Sequence, residues 1–475
     1  MMERRTPPCS CQSPAVAAVN AALTRRYLLA GAASMTAAAL FGVPRAVRAA
    51  PAAAPPRPLL FTNAVIFDGV ATTLRRGVNV LVDGNVIRAL PAAGEPVADA
   101  RVIDCGGRTI MPGLIDVHWH ALLCGITQAA AMTADIAYVH LVAAREAERT
   151  LMRGFTTVRD VGGPSFALKR AIDESIVVGP RIYPSGAMIS QTAGHGDFRL
   201  RSEIPRMPTS PPSVAEATGV SAIADGADEV LRRVREQLLL GASQIKVVLG
   251  GGVSSLYDPL DTTQYTEPEV RAAVDAATDW GTYVCAHVYT PTGIQRALRA
   301  GVRSIEHGQL ADEETVRKIV AAGAWWSLQP FLADEDANVK TDPQQQRDQA
   351  EVATGTLNAY DMAKKHGANV AFGTDILFSP KNVGTQGKQL AKLARWYSNA
   401  EVLRMATSRN AALLALCGNR NPYPGTLGVI APGALADLLV IDGDPTVNLD
   451  LIADPDTNMK VIMKNGSIVK NTLGA

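Results

Sequence analysis

The chain is short of charge. Lys, Arg, Asp and Glu make up 19% of its 475 residues, and 46 basic residues almost cancel 45 acidic ones. A net charge of +1 lacks the basic excess that nucleic-acid binding demands. With 47% apolar residues, the chain does not have the composition of a disordered protein either. Six cysteines are too few for a disulfide scaffold at this length. No uninterrupted apolar run reads as an ordinary membrane span, so no stable membrane anchor is expected. What remains is a large soluble globular protein with ample core material, and an enzyme fits best. Length alone allows about two or three domains.

Acid is scarcest at the start. Across residues 1–57, Glu3 is the sole acid, against seven arginines and 17 alanines. Arg25-Arg26 precedes an apolar run from Ala30 to Val43, and Val47-Arg48-Ala49 follows with small residues suited to cleavage. A positive region, a short apolar region and a cleavage site in that order read as an export signal. The paired arginines resemble the twin-arginine type. Residues 1–49 are therefore expected to be a removable leader, and the protein to be periplasmic or extracellular. A buried Ala-rich helix is the alternative. Without the leader the chain has 40 basic and 44 acidic residues, a net charge of −4.

Residues 58–110 and 425–475 read as β-rich ends of one small β-sandwich. Leu60–Phe67, Val78–Val82 and Val86–Leu90 are strand-like, with Asp83-Gly84-Asn85 as a hairpin turn. Ala436–Ile441, Val461–Lys464 and Ser467–Lys470 repeat the style around Asn465-Gly466. Between them, 111–424 alternates short apolar strands with amphipathic helices. The strands are Leu114–His118, Thr156–Arg159, Arg181–Ser185, Gln244–Val248, Tyr283–Ala286, Ser304–Glu306, Trp325–Leu328 and Asn369–Phe372. Helical patterns cover Ile136–Arg153, Ala227–Leu240, Glu267–Trp280 and Thr315–Ala322, and glycine often follows them. Eight such units predict an α/β fold, a (β/α)8 TIM-type barrel, with a doubly wound sheet as the alternative. Gly196–Gly226 has four prolines and no helical periodicity, and reads as a long lid or binding loop.

The histidines concentrate where a barrel places its chemistry. His118 and His120 lie two apart at the end of the first strand, hence on one face. His287, His307 and Asp375 follow the fifth, sixth and eighth strands, and Lys246 lies in the fourth. Each alone has a bland reading: a core histidine, a snorkelling lysine, a helix-capping aspartate. Together they place six ligand-type side chains at the C-terminal ends of strands of one barrel, which predicts a metal site. His140 and His366 fall within helices and read as structural. Cys285 and Cys124 read as packing, and Gly250-Gly251-Gly252 lacks dinucleotide-loop spacing.

Residues 58–475 resemble the amidohydrolase superfamily. The resemblance is carried by Pro112-Gly113-Leu114-Ile115-Asp116-Val117-His118-Trp119-His120, Thr156-Thr157-Val158-Arg159-Asp160, Ile245-Lys246, Ala286-His287, Glu306-His307-Gly308 and Gly373-Thr374-Asp375. Within it the chain is most similar to imidazolonepropionase-like members, bacterial Xaa-Pro dipeptidases and aryl-dipeptidases, and especially to ochratoxin-hydrolysing amidohydrolases. The resemblance implies two Zn²⁺ bridged by a carbon dioxide-derived carbamate on Lys246. His118, His120 and Asp375 would hold one ion, and His287 and His307 the other. It implies a bridging hydroxide as nucleophile and Asp375 as general base, then acid. Tyr289, two after His287, and His195, in Ala193-Gly194-His195-Gly196, match positions that contact substrate in such relatives. It also implies a homo-oligomer, with an octamer as one form. His/Asp sites also accept Mn²⁺, Co²⁺ or Fe. The expected reaction is release of an L-amino acid from a dipeptide, an N-acyl amino acid or ochratoxin A. Lactone, cyclic-amide or phosphoester hydrolysis, deamination, or a non-catalytic assembly role are the alternatives.

Overall fold

Short β-branched and aromatic runs, punctuated by glycine and asparagine, make both ends of the described chain into strands. A computed structural model describes residues 57–474, apart from Pro208, Leu256 and Val339. The expected leader, residues 1–49, lies outside the described residues. The first strands are β1 (Leu59–Thr62), β2 (Val65–Ile66), β3 (Val80–Asp83), β4 (Val86–Ala89), β5 (Arg101–Asp104) and β6 (Thr109–Pro112). The middle contributes β7 (Leu114–Trp119), β8 (Phe155–Asp160), β9 (Arg181–Pro184), β10 (Met188–Ser190) and β11 (Ser221–Ile223). It continues with β12 (Ile245–Val248), β13 (Val284–Val288), β14 (Ser304–His307), β15 (Trp325–Leu328) and β16 (Asn369–Phe372). The last strands are β17 (Leu438–Ile441), β18 (Met459–Lys464) and β19 (Ser467–Asn471).

The two ends share structure. One sheet has the order β4-β3-β1-β5, and the other, β19-β18-β17-β6-β2, mixes both termini. Phe61, Val82, Ile87 and Ile103 from the first sheet pack with Ile110, Leu438, Val440 and Val461 from the second in one buried core. The β18–β19 turn places Asn465 at φ 53° and Gly466 at φ 75°, the conformation a two-residue hairpin needs. Leu60–Phe67 is not one strand, as its apolar run suggests. Asn63 turns at φ 50°, its amide donates to Asp104 Oδ1 at 3.0 Å, and β1 and β2 part into different sheets. Asparagine tolerates that left-handed turn. Strand β6 also runs through the expected boundary after residue 110.

The middle is an α/β arrangement of parallel strands. Strands β7-β8-β9 form one sheet, and β11-β10-β12-β13-β14-β15-β16 another. All strand pairs in both are parallel. They are buried along nearly their whole length, which explains their continuous apolar character. The expected third strand, Arg181–Ser185, is only half of the third position. Gly186 breaks the strand at φ 75°, so β9 pairs with β8 and β10 pairs with β12. A Cβ there would meet Gln237 Oε1 at 2.4 Å. The two sheets also meet at their other ends, between β16 and β7. There Asn410 donates to Ile115 O and Phe372 O, both at 2.7 Å, and accepts from Phe372 N at 3.0 Å.

Helices Ile136–Met152, Ala227–Leu240, Glu267–Asp279, Pro291–Ala300, Glu313–Ala321 and Pro343–His366 separate the strands. Segment 196–226 is not one loop. It holds a 3-10 turn at Arg201–Glu203, a four-residue helix at Val214–Ala217 and strand β11. Ser213 and Glu216 cap that helix reciprocally, an element too short to show a period. No helix among the described residues is long and apolar enough to cross a membrane.

Candidate metal and active site

The C-terminal ends of the parallel strands surround one cavity of about 1250 Å³, a volume that includes open solvent at its mouth. His118, His120, Lys246, His287, His307, Asp375, His195 and Tyr289 all line it. The structure thus brings all eight sequence-predicted residues together. His140 lies outside the cavity lining, its ring bonded to Ile136 O, and His366 pairs with Glu313. Cys285 and Cys124 are buried and do not line the cavity either.

Asp375 is the centre. Its Oδ1 lies 3.3 Å from His118 Nε2 and 3.1 Å from His120 Nε2. The other ring nitrogens point outward. His118 Nδ1 meets Glu306 Oε2 at 2.8 Å, His120 Nδ1 meets Gly162 O at 3.0 Å, and His307 Nδ1 meets Gln329 Oε1 at 2.8 Å. Those partners are acceptors, so the Nδ1 atoms donate and the Nε2 atoms are the ones turned inward. His287 is reversed: its Nε2 donates to Gly251 O at 3.1 Å, leaving Nδ1 free. Burial lowers Asp375's charge preference, but His118, His120 and His307 outweigh it and hold the carboxyl well below the usual carboxylate range. Burial, with neighbouring rings and Lys246, drives His287 well below the ordinary histidine value; burial and His118 do the same to His307. Lys246 is 2% exposed, and burial lowers the pKa of its amine against the pull of Glu306 and Asp375.

Imidazoles gathered around an ionised carboxylate form a donor set that fits a divalent cation. His118 Nε2 is buried and makes no hydrogen bond, as a ligand atom awaiting an ion would be. Ligand atoms of His118, His307 and Asp375 all lie within 4.8 Å of one another. His307 and Asp375 have φ of 72° and 52°, left-handed backbone at two non-glycine residues of the same site. Such strain persists only where surroundings enforce it. Gly373 helps: a Cβ there would meet His118 Cβ at 2.4 Å.

Sequence reading missed the support behind these residues. Glu306 is fully buried and accepts from Arg159 Nη2 at 2.7 and 2.8 Å as well as from His118. Asp116 accepts from Thr374 Oγ1 at 2.7 Å and Gln386 Nε2 at 3.0 Å, tying the first strand to the Asp375 loop. The signal was present, since Asp116, Arg159 and Glu306 stand inside the strand motifs, where a charge is costly to bury without a role. The missed wall is Pro330–Lys340, which contributes Phe331, Leu332, Asp334, Asp336 and Lys340. Among the described residues of the expected loop 196–226, only Phe198 lines the cavity.

His195 stacks on His287 with centroids 4.3 Å apart, and Tyr289 stacks on His307 at 5.0 Å. His195 Nδ1 lies 2.7 Å from both Asp258 Oδ2 and Ser255 Oγ. Gly252 makes room for that ring: a Cβ there would meet His195 Cε1 at 2.2 Å. Burial pushes the Tyr289 hydroxyl well above its ordinary value, so it stays a donor.

Parallel strands with inward side chains at their C-terminal ends and a His/His/Asp cluster have the arrangement of a metal-dependent hydrolase on an α/β fold. The amidohydrolase family profile matches residues 109–470, and the chain belongs to that family, whose members bind divalent metals. It is a hydrolase of amide or peptide C–N bonds acting on small molecules. It is 30% identical to the ochratoxinase of Aspergillus niger over 380 residues, covering 76% of this chain and 75% of that one. Among solved structures, a prolidase complexed with N-methylphosphonate-L-proline is 33% identical, with TM-score 0.80 over 87% of this chain and 100% of that one. A Xaa-Pro dipeptidase with bound methionine is 28% identical, with TM-score 0.76 over 87% and 100%.

Proposed function

We propose that the chain is a binuclear-zinc amidohydrolase that releases an L-amino acid from a dipeptide, an N-acyl amino acid or an ochratoxin-like amide. His118, His120 and Asp375 would hold one ion and His287 and His307 the other, with Lys246 between them as a carbamate. When bound, such cations supply Lewis acidity toward the amide carbonyl and acidify water to near neutrality. The observation that carries this reading is the Asp375 carboxylate, held ionised and facing the Nε2 atoms of His118 and His120 at 3.3 and 3.1 Å, while Nδ1 of each ring meets a buried acceptor.

The chain's own residues do the rest. Asp375 is held ionised, so it takes the proton of the attacking water and hands it to the leaving nitrogen. Lys246 is buried and its ammonium form disfavoured, and the free amine is the form that adds carbon dioxide. Tyr289 donates a hydrogen bond from its hydroxyl to a substrate oxygen. His195, braced by Asp258 and Ser255, orients the substrate from the opposite wall. Phe198, Phe331 and Val253 give the cavity apolar walls that exclude water. The ochratoxinase and prolidase relatives support an amino-acid leaving group. In the same reading the two parallel sheets are one eight-position barrel, closed by Asn410, and the terminal sheets are its β-sandwich. Export rests on the Arg25-Arg26 leader, and a homo-oligomer on the family resemblance.

The test is a substrate panel of dipeptides, N-acyl-L-amino acids and ochratoxin A, with the free amino acid as readout. Turnover is expected, and Asp375→Asn lowers kcat by about 10²–10⁴-fold. A metal-loaded protein that opens lactones rapidly and cleaves no amide contradicts the proposal.

A further inference from the structure

The missed wall carries a charge that the mechanism does not use. Lys340 lines the cavity near the start of the long helix Pro343–His366, and it is only partly exposed. Another lysine lining the cavity, Lys392, is engaged, with Asp334 at 2.8 Å and Asp336 at 2.9 Å. Lys340 is different. Among the described residues no carboxylate lies within ion-pairing distance of its ammonium. Burial lowers its pKa, and Asp375 is the one charge that acts to raise it. A half-buried cation without a partner costs free energy unless something supplies the missing anion.

We propose that Lys340 receives the free α-carboxylate of the amino-acid half of the substrate, and so determines preference for amides with an uncapped C-terminal residue. The inference rests on the amidohydrolase reading above. The chemistry fits the span. In an N-acyl amino acid the carboxylate carbon is two bonds from the scissile nitrogen. With that nitrogen at Asp375, the carboxylate falls near Asp375 without touching it. Lys340 lines the same cavity as Asp375, where a carboxylate placed that way can meet it. The carboxylates of Asp334 and Asp336 are already turned to Lys392, which leaves Lys340 as the cation open to a ligand. Phe198, Phe331 and Leu332 line the same cavity, and apolar walls strengthen a charge pair formed within it.

The experiment compares wild type, Lys340→Met and Lys340→Arg as metal-loaded full chains. Each is given an N-acyl-L-phenylalanine and its carboxamide-capped counterpart. The ratio of KM values, capped over free, should fall by about tenfold to a hundredfold in Lys340→Met. Lys340→Arg should recover most of that ratio, because a guanidinium also pairs with carboxylate. Equal KM changes on both substrates, or an unchanged ratio, overturn the proposal. A second readout is independent of turnover: calorimetric binding of L-phenylalanine and L-phenylalaninamide to the metal-stripped protein. Weaker binding of the acid alone in Lys340→Met supports the contact even if no amide is cleaved, in which case it is the hydrolase reading that fails. Equal loss for both ligands, or none, counts against Lys340.

Discussion

Replacing Glu306 by glutamine removes one negative charge from a place without water. Glu306 and Arg159 are both fully buried. The carboxylate accepts from Arg159 Nη2 at 2.7 and 2.8 Å, His118 Nδ1 at 2.8 Å and Ser304 Oγ at 2.5 Å. Glutamine keeps the shape but turns one acceptor into a donor, which then faces the Arg159 or His118 donors. Burial opposes Glu306's charge, yet Arg159 and His118 hold its carboxyl well below the usual range, so the charge is there to lose. Leaving Arg159 unpaired should cost about 3–5 kcal/mol of folding stability. His118 loses its anchor as well, so metal affinity should drop about 10- to 100-fold. Adding Arg159→Met removes the stranded cation, and the double variant should recover about 2 kcal/mol or more relative to the summed single losses. Urea denaturation followed by tryptophan fluorescence gives the stabilities, and calorimetric metal titration gives the affinity. A Glu306→Gln protein within about 1 kcal/mol of wild type, or strictly additive variants, would refute the reasoning.

Three further outcomes test other parts of the structure. Asn410→Ala leaves Ile115 O, Phe372 O and Phe372 N without their partner; it should cost about 2–4 kcal/mol, and a loss under about 0.5 kcal/mol in urea denaturation would show that the two sheets do not depend on this joint. Gly252→Ala drives a methyl into the His195 ring and should lower kcat/KM at least about tenfold with the unfolding midpoint nearly unchanged; unaltered kinetics would remove His195 from the substrate wall. Burial, aided by Arg181, pushes the Lys464 ammonium down to about 8 from its ordinary 10.5. The unfolded chain therefore holds the extra proton between those values, and stability rises with pH from about 8 to 10.5. Lys464→Met should flatten that rise in thermal melts across the interval; an unchanged slope would contradict the assignment.

The strand ends were the most legible part of the sequence. His118, His120, His287, His307 and Asp375 announce themselves because ligand-type residues directly follow or end buried apolar runs. Their supports were harder to see. Arg159 and Glu306 lie 147 positions apart, and nothing local says that they pair. Strand three was legible only in part: its expected residues form β9, but β10, beyond the break at Gly186, gave no signal of its own. Strand β11 and the helix Val214–Ala217 have three and four residues, too few to show a period of either kind. The wall at 330–340 reads as ordinary loop, and only the fold turns Phe331 and Lys340 toward the metal ligands' cavity.

His118, His120, Lys246, His287, His307 and Asp375 are proposed to hold the metal on which amide hydrolysis depends. Metal content per chain, measured together with amide turnover before chelation, after it and on re-addition of zinc, tests this most directly. Two ions per chain are predicted, with turnover lost and regained in step with them. Lys246→Ala should lower both content and turnover, with partial rescue by small carboxylates that stand in for the proposed carbamate. Full turnover in metal-stripped protein, or in Lys246→Ala, would contradict the account.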